Sequence, residues 1–223
     1  MIIKQYNGSY NGRISVPGDK SISHRSIILG SLANGETHVE NFLMGEDCIS
    51  TINCFRAMGV DIEQEGTTVK IKGVGLKGLK KPETVLDAGN SGTTMRILAG
   101  LLAFQGFESV LDGDASLRKR PMSRVSEPLN AMGADIRCTN GKYPPVTIKP
   151  MHSGRGISYV QPTASAQVKS CLLMAGMYCD DVVEVIQPSI SRDHTERMMK
   201  YFGIDITVED KTVSIQKTGG FQG

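Results

Sequence analysis

The feature that constrains this chain most is that it repeats one pattern three times. Three segments carry the end of an amphipathic helical stretch, a glycine, a small or apolar residue, an Asp-Ile pair and a hairpin. They read FRAMGVDIEQEGTTVKIKG from Phe55, LNAMGADIRCTNGKYPPVTIKP from Leu129 and MKYFGIDITVEDKTVSIQKTG from Met199. Their glycines, Gly59, Gly133 and Gly203, recur at intervals of roughly 70 residues, the mark of a repeated supersecondary unit. Each stands where a helix ends on a residue in the left-handed conformation. The stretch that follows alternates apolar and polar, as in Val69-Lys70-Ile71 and Val213-Ser214-Ile215, which is the period of a half-buried strand.

The repeat extends upstream. Strands are predicted at Thr37–Phe42, Glu108–Asp112 and Val182–Gln187, each followed by the second helix of its unit. Before each of these, a strand hands over to the first helix through small polar residues: GDKSIS (Gly18–Ser23), GNSGTT (Gly89–Thr94) and PTASAQ (Pro162–Gln167). The expected fold is α/β (α+β), three βαβαββ units in a pseudo-threefold arrangement, with helices inside and sheets around them. The units span about 13–74, 84–150 and 156–219, making one domain over 13–219. Residues 1–12 fit no unit and read as a strand that pairs elsewhere. The Gly-rich end, 220–223, reads as the start of a crossover at a domain junction.

Composition narrows the function. Lys plus Arg number 25 against 23 Asp plus Glu, a net charge of +2, too balanced for binding a polyanion by bulk electrostatics. Trp is absent and aromatics are 5%, which leaves little to stack bases on. No apolar run reaches the roughly 20 residues of a membrane span, and the start lacks a signal-peptide pattern, so a cytoplasmic location is expected. Cys48, Cys54, Cys138, Cys171 and Cys179 are odd in number, without C-x-x-C spacing, and are expected as free, structural thiols. His24, His38, His152 and His194 form no zinc-type spacing, and neither metal nor cofactor is expected.

The three handover points carry the chemistry. N–H groups at a helix N-terminus, with the positive end of the helix dipole, attract anions. The alternative is plain capping, with Ser21, Ser91 and Ser165 serving only their own helices. Cations stand beside them: Lys20, Arg25 four positions after Ser21, and Arg96 five positions after Ser91. The run SLRKRPMSR (Ser116–Arg124) adds four cations in nine residues, with Pro121 placed to start a helix. Arginine grips phosphate or carboxylate with two parallel donors, so these residues describe a site for small, multiply anionic ligands. Neither a G-x-x-x-x-G-K-[ST] loop nor a G-x-G-x-x-G fingerprint occurs.

GDKSISHR, DAGNSGTTMR, DGDASLRKRPM, PTASAQVKS and SRDHTERM resemble, in order, the motifs of the 5-enolpyruvylshikimate-3-phosphate synthase family. The resemblance spans the chain but only about the first half of that family's usual length. It implies one complete domain of the inside-out α/β barrel fold of enolpyruvyl transferases, preceded by the first strand of the other domain. By that resemblance Lys20, Ser21, Arg25, Ser165, Ala166, Gln167 and Arg192 bind shikimate 3-phosphate. Lys20, Gly92, Arg120 and Gln167 bind phosphoenolpyruvate, and Lys20, shared by both, is the catalytic electrostatic group. Ala166, often Ser in relatives, offers only backbone, while Asn90, Thr93 and Arg96 shape the loop.

The reaction so implied moves the carboxyvinyl group of phosphoenolpyruvate to the 5-hydroxyl of shikimate 3-phosphate and releases phosphate, on the route to chorismate and aromatic amino acids. The family's acid/base carboxylates come from its other domain, so this half alone is expected to be inactive, with that missing domain as its partner. Two alternatives stand beside this. The sister transferase acting on UDP-N-acetylglucosamine usually has Lys-Asn where this chain has Lys20-Ser21, and a reactive Cys in a loop whose counterpart, Asp114–Arg120, contains none. The other is a non-catalytic anion-binding module.

Overall fold

The computed structural model describes residues 8, 9 and 11–223. In chain order the elements are α1 (Lys20–Leu32), β1 (Asn34–Val39), α2 (Glu46–Ala57), β2 (Asp61–Glu65) and β3 (Thr68–Val74). Then come β4 (Leu86–Asp87), α3 (Gly92–Leu102), β5 (Ser109–Asp112), a 3-10 turn at Leu117–Lys119, α4 (Ser123–Ala131), β6 (Ile136–Thr139) and β7 (Tyr143–Ile148). The last set is β8 (Ile157–Val160), α5 (Ala166–Gly176), β9 (Val183–Ile186), α6 (His194–Tyr201), β10 (Ile206–Glu209) and β11 (Thr212–Ile215).

Each repeat builds its own sheet. The second and third have the same strand order, β4-β5-β7-β6 and β8-β9-β11-β10, with the leading strand parallel to its neighbour and the others antiparallel. The first sheet, β1-β3-β2, has three strands, and Arg13–Pro17, where a leading strand was expected, form none. The place beside β1 is filled from the other end of the chain. Gln222 bridges Asn34 in parallel; the Asn34 N–H donates to the Phe221 carbonyl at 2.7 Å, and the Gly223 N–H donates to the Asn34 carbonyl at 2.9 Å. Phe221 is buried edge-on against Phe202, ring centres 5.8 Å apart. Residues 221–223, read from sequence as the start of a crossover, therefore form the edge of the first sheet. The strand expected within 1–12 lies, for residues 1–7 and 10, outside the described residues; Gly8, Ser9, Asn11 and Gly12 carry none.

The first helix of each repeat lies inside. In α1, α3 and α5 almost every residue from the second turn onward is buried, as expected of segments such as Ile97–Leu102 and Cys171–Gly176 that are apolar or small all round. A β-carbon on Gly100 would lie 2.0 Å from the Cys171 carbonyl oxygen, so α3 and α5 touch backbone to backbone. The second helices, α2, α4 and α6, end at the marker glycines. Gly59, Gly133 and Gly203 have φ of +85°, +100° and +76°, the left-handed conformation the repeat requires. All five cysteines are free; Cys138 is half-buried and the others are buried. Among the described residues no helix is long and apolar enough to cross a membrane.

Candidate anion-binding site

The three inner helices start at Lys20, Gly92 and Ala166; side-chain hydrogen bonds join the start of α5 to α3 and the second turn of α5 to α1, while α1 and α3 are joined through α2. Only two are capped as sequence suggested. The Ser91 hydroxyl accepts from the Thr94 N–H at 3.1 Å, and Ser165 accepts from the Val168 N–H at 3.3 Å. In α1 the cap is Asp19, whose carboxylate accepts from the Ile22 N–H at 2.8 Å. Ser21 is thus freed from capping, and among the described residues its hydroxyl meets only the Arg192 guanidinium, at 3.4 Å. The shift of cap does not bring Arg25 and Arg96 into register. They stand six and five residues after their caps, and their surroundings differ.

Arg25 is buried among three helices. Its Nη1 donates to the Ser21 carbonyl at 2.9 Å, its Nε to the Thr195 hydroxyl at 2.5 Å and its Nη2 to the Ser170 hydroxyl at 2.7 Å. Burial lowers its pKa to about 10, with Glu196 opposing and Arg192 adding to the effect. At neutral pH the group remains a cation. Below it, Lys169 on α5 and Glu196 on α6 form a buried pair at 2.5 Å. Neither was singled out from sequence, although a lysine inside the apolar run of α5 is itself a signal that a buried partner exists.

Arg96 faces the gap between the second and third junctions. Its Nη1 donates to the Gln167 side-chain oxygen at 2.9 Å, and the Gln167 amide donates to the Thr93 hydroxyl at 2.9 Å. Desolvation, followed by the like charges of Arg120 and Arg124, lowers its pKa. Arg120 arrives from the 3-10 turn and is held by Asn90, through the backbone carbonyl at 3.2 Å and the side-chain oxygen at 2.6 Å; Asn90 in turn donates to Asp114 at 2.7 Å. A β-carbon placed on Gly92 would sit 2.7 Å from Nη1 of Arg96 and 3.4 Å from Nη1 of Arg120. The absent side chain therefore lets two guanidinium groups approach the Gly92 backbone closely.

Not every cation in Ser116–Arg124 takes part. Arg118 makes a two-pronged pair with Asp112, at 2.9 and 2.6 Å, and its charge is met there. Pro121 also does not open the helix: α4 begins at Ser123. Lys20, half-exposed at the start of α1, pairs with Asp47 on α2. By contrast Arg25, Arg96, Arg120, Arg124 and Arg192 pair with no carboxylate among the described residues. Like charges so grouped, Arg25 with Arg192 and Arg96 with Arg120 and Arg124, attract an anion.

The model of the family described as EPSP synthase (3-phosphoshikimate 1-carboxyvinyltransferase) matches residues 5–222. The chain belongs to the EPSP synthase family. It is 52% identical over 97% of its length to a 3-phosphoshikimate 1-carboxyvinyltransferase of Legionella pneumophila (strain Lens), covering 50% of that protein. It is 55% identical over 92% of its length to one of Bacillus pumilus, covering 48% of it. An EPSP synthase structure from Acinetobacter baumannii superposes with a TM-score of 0.93 at 50% identity, over 95% of this chain and 48% of that one. The chain thus spans about half the length of the relatives it matches, and it has the fold of one domain of the family's enzymes.

Proposed function

We propose that this chain is the substrate-binding first half of a 3-phosphoshikimate 1-carboxyvinyltransferase, working in the cytoplasm with its second half. The observation that carries the reading is the pair of guanidinium groups, Arg96 and Arg120, standing without carboxylate partners close against the bare backbone of Gly92. In this reading phosphoenolpyruvate binds beside them, against Gly92, Arg120 and Gln167. Shikimate 3-phosphate lies between the first and third junctions, against Ser21, Arg25, Arg192, Ser165, the backbone of Ala166, and Gln167. Lys20 lies between the two and leaves Asp47 for whichever anion enters.

The chemistry follows from charge. The 5-hydroxyl oxygen bonds to C2 of phosphoenolpyruvate while a proton adds to C3. Loss of the hydroxyl proton gives a tetrahedral adduct. A proton then leaves C3, the C2–O bond to phosphate breaks, and the enol ether and phosphate are released. Each ligand brings a phosphate and a carboxylate, so the pair can approach only where cations and oriented N–H groups already face them. Such preorganised donors are what this half supplies; the acid and base that move the protons are assigned to the other half.

The test is titration of the chain with shikimate 3-phosphate and, separately, with UDP-N-acetylglucosamine, followed by amide resonances. Shikimate 3-phosphate should shift Ser21, Ala166 and Arg192, and UDP-N-acetylglucosamine should shift none of them. A response to the nucleotide sugar alone would assign the chain to the sister reaction. No response to either ligand or to phosphoenolpyruvate would refute the reading.

A further inference from the structure

A chain of four buried side chains joins the first two junctions, and neither the capping of the helices nor the anion site accounts for it. His24 on α1 is fully buried, and its Nδ1 lies 2.7 Å from the Thr51 hydroxyl on α2. Thr51 lies 2.7 Å from the Thr94 hydroxyl on α3. Thr94 donates at 2.7 Å to Ser91, the residue that caps α3 next to Gly92. The Asp47 carbonyl lies 3.4 Å from both threonine hydroxyls, while the Asp47 carboxylate holds Lys20.

Proton accounting gives the chain a direction. Each hydroxyl has one proton to donate. With the imidazole proton on Nδ1, His24 donates to Thr51, Thr51 to Thr94 and Thr94 to Ser91, and every link is satisfied. The orphan is then a bare Nε2 lone pair, which the structure shows buried without a partner. With the proton on Nε2, a buried N–H would be orphaned instead, the costlier arrangement. Burial also lowers the His24 pKa to about 4, so the ring is neutral near pH 7 and can hold this single tautomer.

We propose that Thr51 and Thr94, oriented by His24, are positioning residues that fix the N-terminus of α3 at Gly92 relative to the N-terminus of α1 at Lys20. They touch no ligand. They hold the two junctions at the separation that two adjacent anions require, with α2 as the brace. The claim that this separation serves ligands rests on the substrate reading above; the brace itself does not.

The test uses the 223-residue chain with Thr51→Val, Thr51→Ser and Thr94→Val. The His24 ring nitrogens report the brace directly: a protonated Nδ1 in the wild type, lost or shifted in Thr51→Val and restored in Thr51→Ser. Amide hydrogen exchange should accelerate about tenfold or more at both Ile22–Ser23 and Thr94–Met95 in Thr51→Val, and return in Thr51→Ser. Affinity for phosphoenolpyruvate and shikimate 3-phosphate should fall about tenfold in the two valine variants and not in the serine variant. Exchange that rises only within α2, or a serine variant that behaves like valine, overturns the proposal. Faster exchange at both junctions with unchanged ligand affinity also overturns it. If the wild type binds neither ligand, the substrate reading fails, while the ring and exchange measurements still decide the brace.

Discussion

Replacing Gly92 by alanine separates the fold from the site. A β-carbon there would stand 2.7 Å from Nη1 of Arg96 and 3.4 Å from Nη1 of Arg120, and both contacts are the far ends of flexible side chains. The helix itself has no objection. Gly92 is the first residue of α3, and removing backbone freedom at a helical site contributes a few tenths to about 1 kcal/mol of stability. For a chain of this length that raises Tm by about 1–3 °C. The site responds in the opposite sense. The flexible end of Arg96 gives way to the methyl group, but the methyl holds phosphoenolpyruvate off Gly92 and so off the Arg120 guanidinium assigned to it. Losing one charge-assisted hydrogen bond costs about 1.5–3 kcal/mol, or about ten- to hundredfold in affinity. Thermal unfolding followed by titration with phosphoenolpyruvate measures both. Phosphoenolpyruvate affinity within about twofold of the wild type, or a Tm lowered by more than about 4 °C, would refute the reasoning.

Other outcomes follow from the interior. Lys169→Met leaves Glu196 buried without its partner, and should lower the unfolding free energy by about 3–5 kcal/mol in denaturant titration; adding Glu196→Leu should recover most of that loss. Phe221→Ala removes the aromatic contact that seats the chain's end on the first sheet. A loss of about 3 kcal/mol is expected, with faster amide exchange along β1 and little change at the anion site. His24, whose pKa falls from 6.5 to about 4 on folding, binds its proton more readily in the unfolded chain. Its contribution is therefore complete above about pH 6.5 and is lost as pH falls towards 4, a swing of about 3 kcal/mol. His24→Asn should flatten the Tm–pH profile across that window.

Some of this molecule is written locally and some is not. The marker glycines, the alternating hairpins and the all-apolar inner helices are local signals, and each is where the pattern puts it. The cap of α1 is ambiguous in GDKSIS because Asp19 and Ser21 are both good capping residues; the way the chain enters the helix chooses Asp19 and so releases Ser21. In SLRKRP, spacing cannot tell Arg118 from Arg120. The 3-10 turn points one at Asp112 and the other at Asn90. The edge of the first sheet is beyond any local reading, since β1 takes its parallel neighbour from Phe221–Gly223 at the far end. The His24 chain and the Lys169–Glu196 pair likewise join residues that only packing makes neighbours.

The most direct test of the central claim is phosphate release from phosphoenolpyruvate in the presence of shikimate 3-phosphate, measured with this chain alone and again with a C-terminal half from the Legionella relative added. The account predicts no release from either piece alone and release from the two together, abolished by Arg120→Ala in this chain. Release by the chain alone, or release by the pair that is indifferent to Arg120, would contradict it.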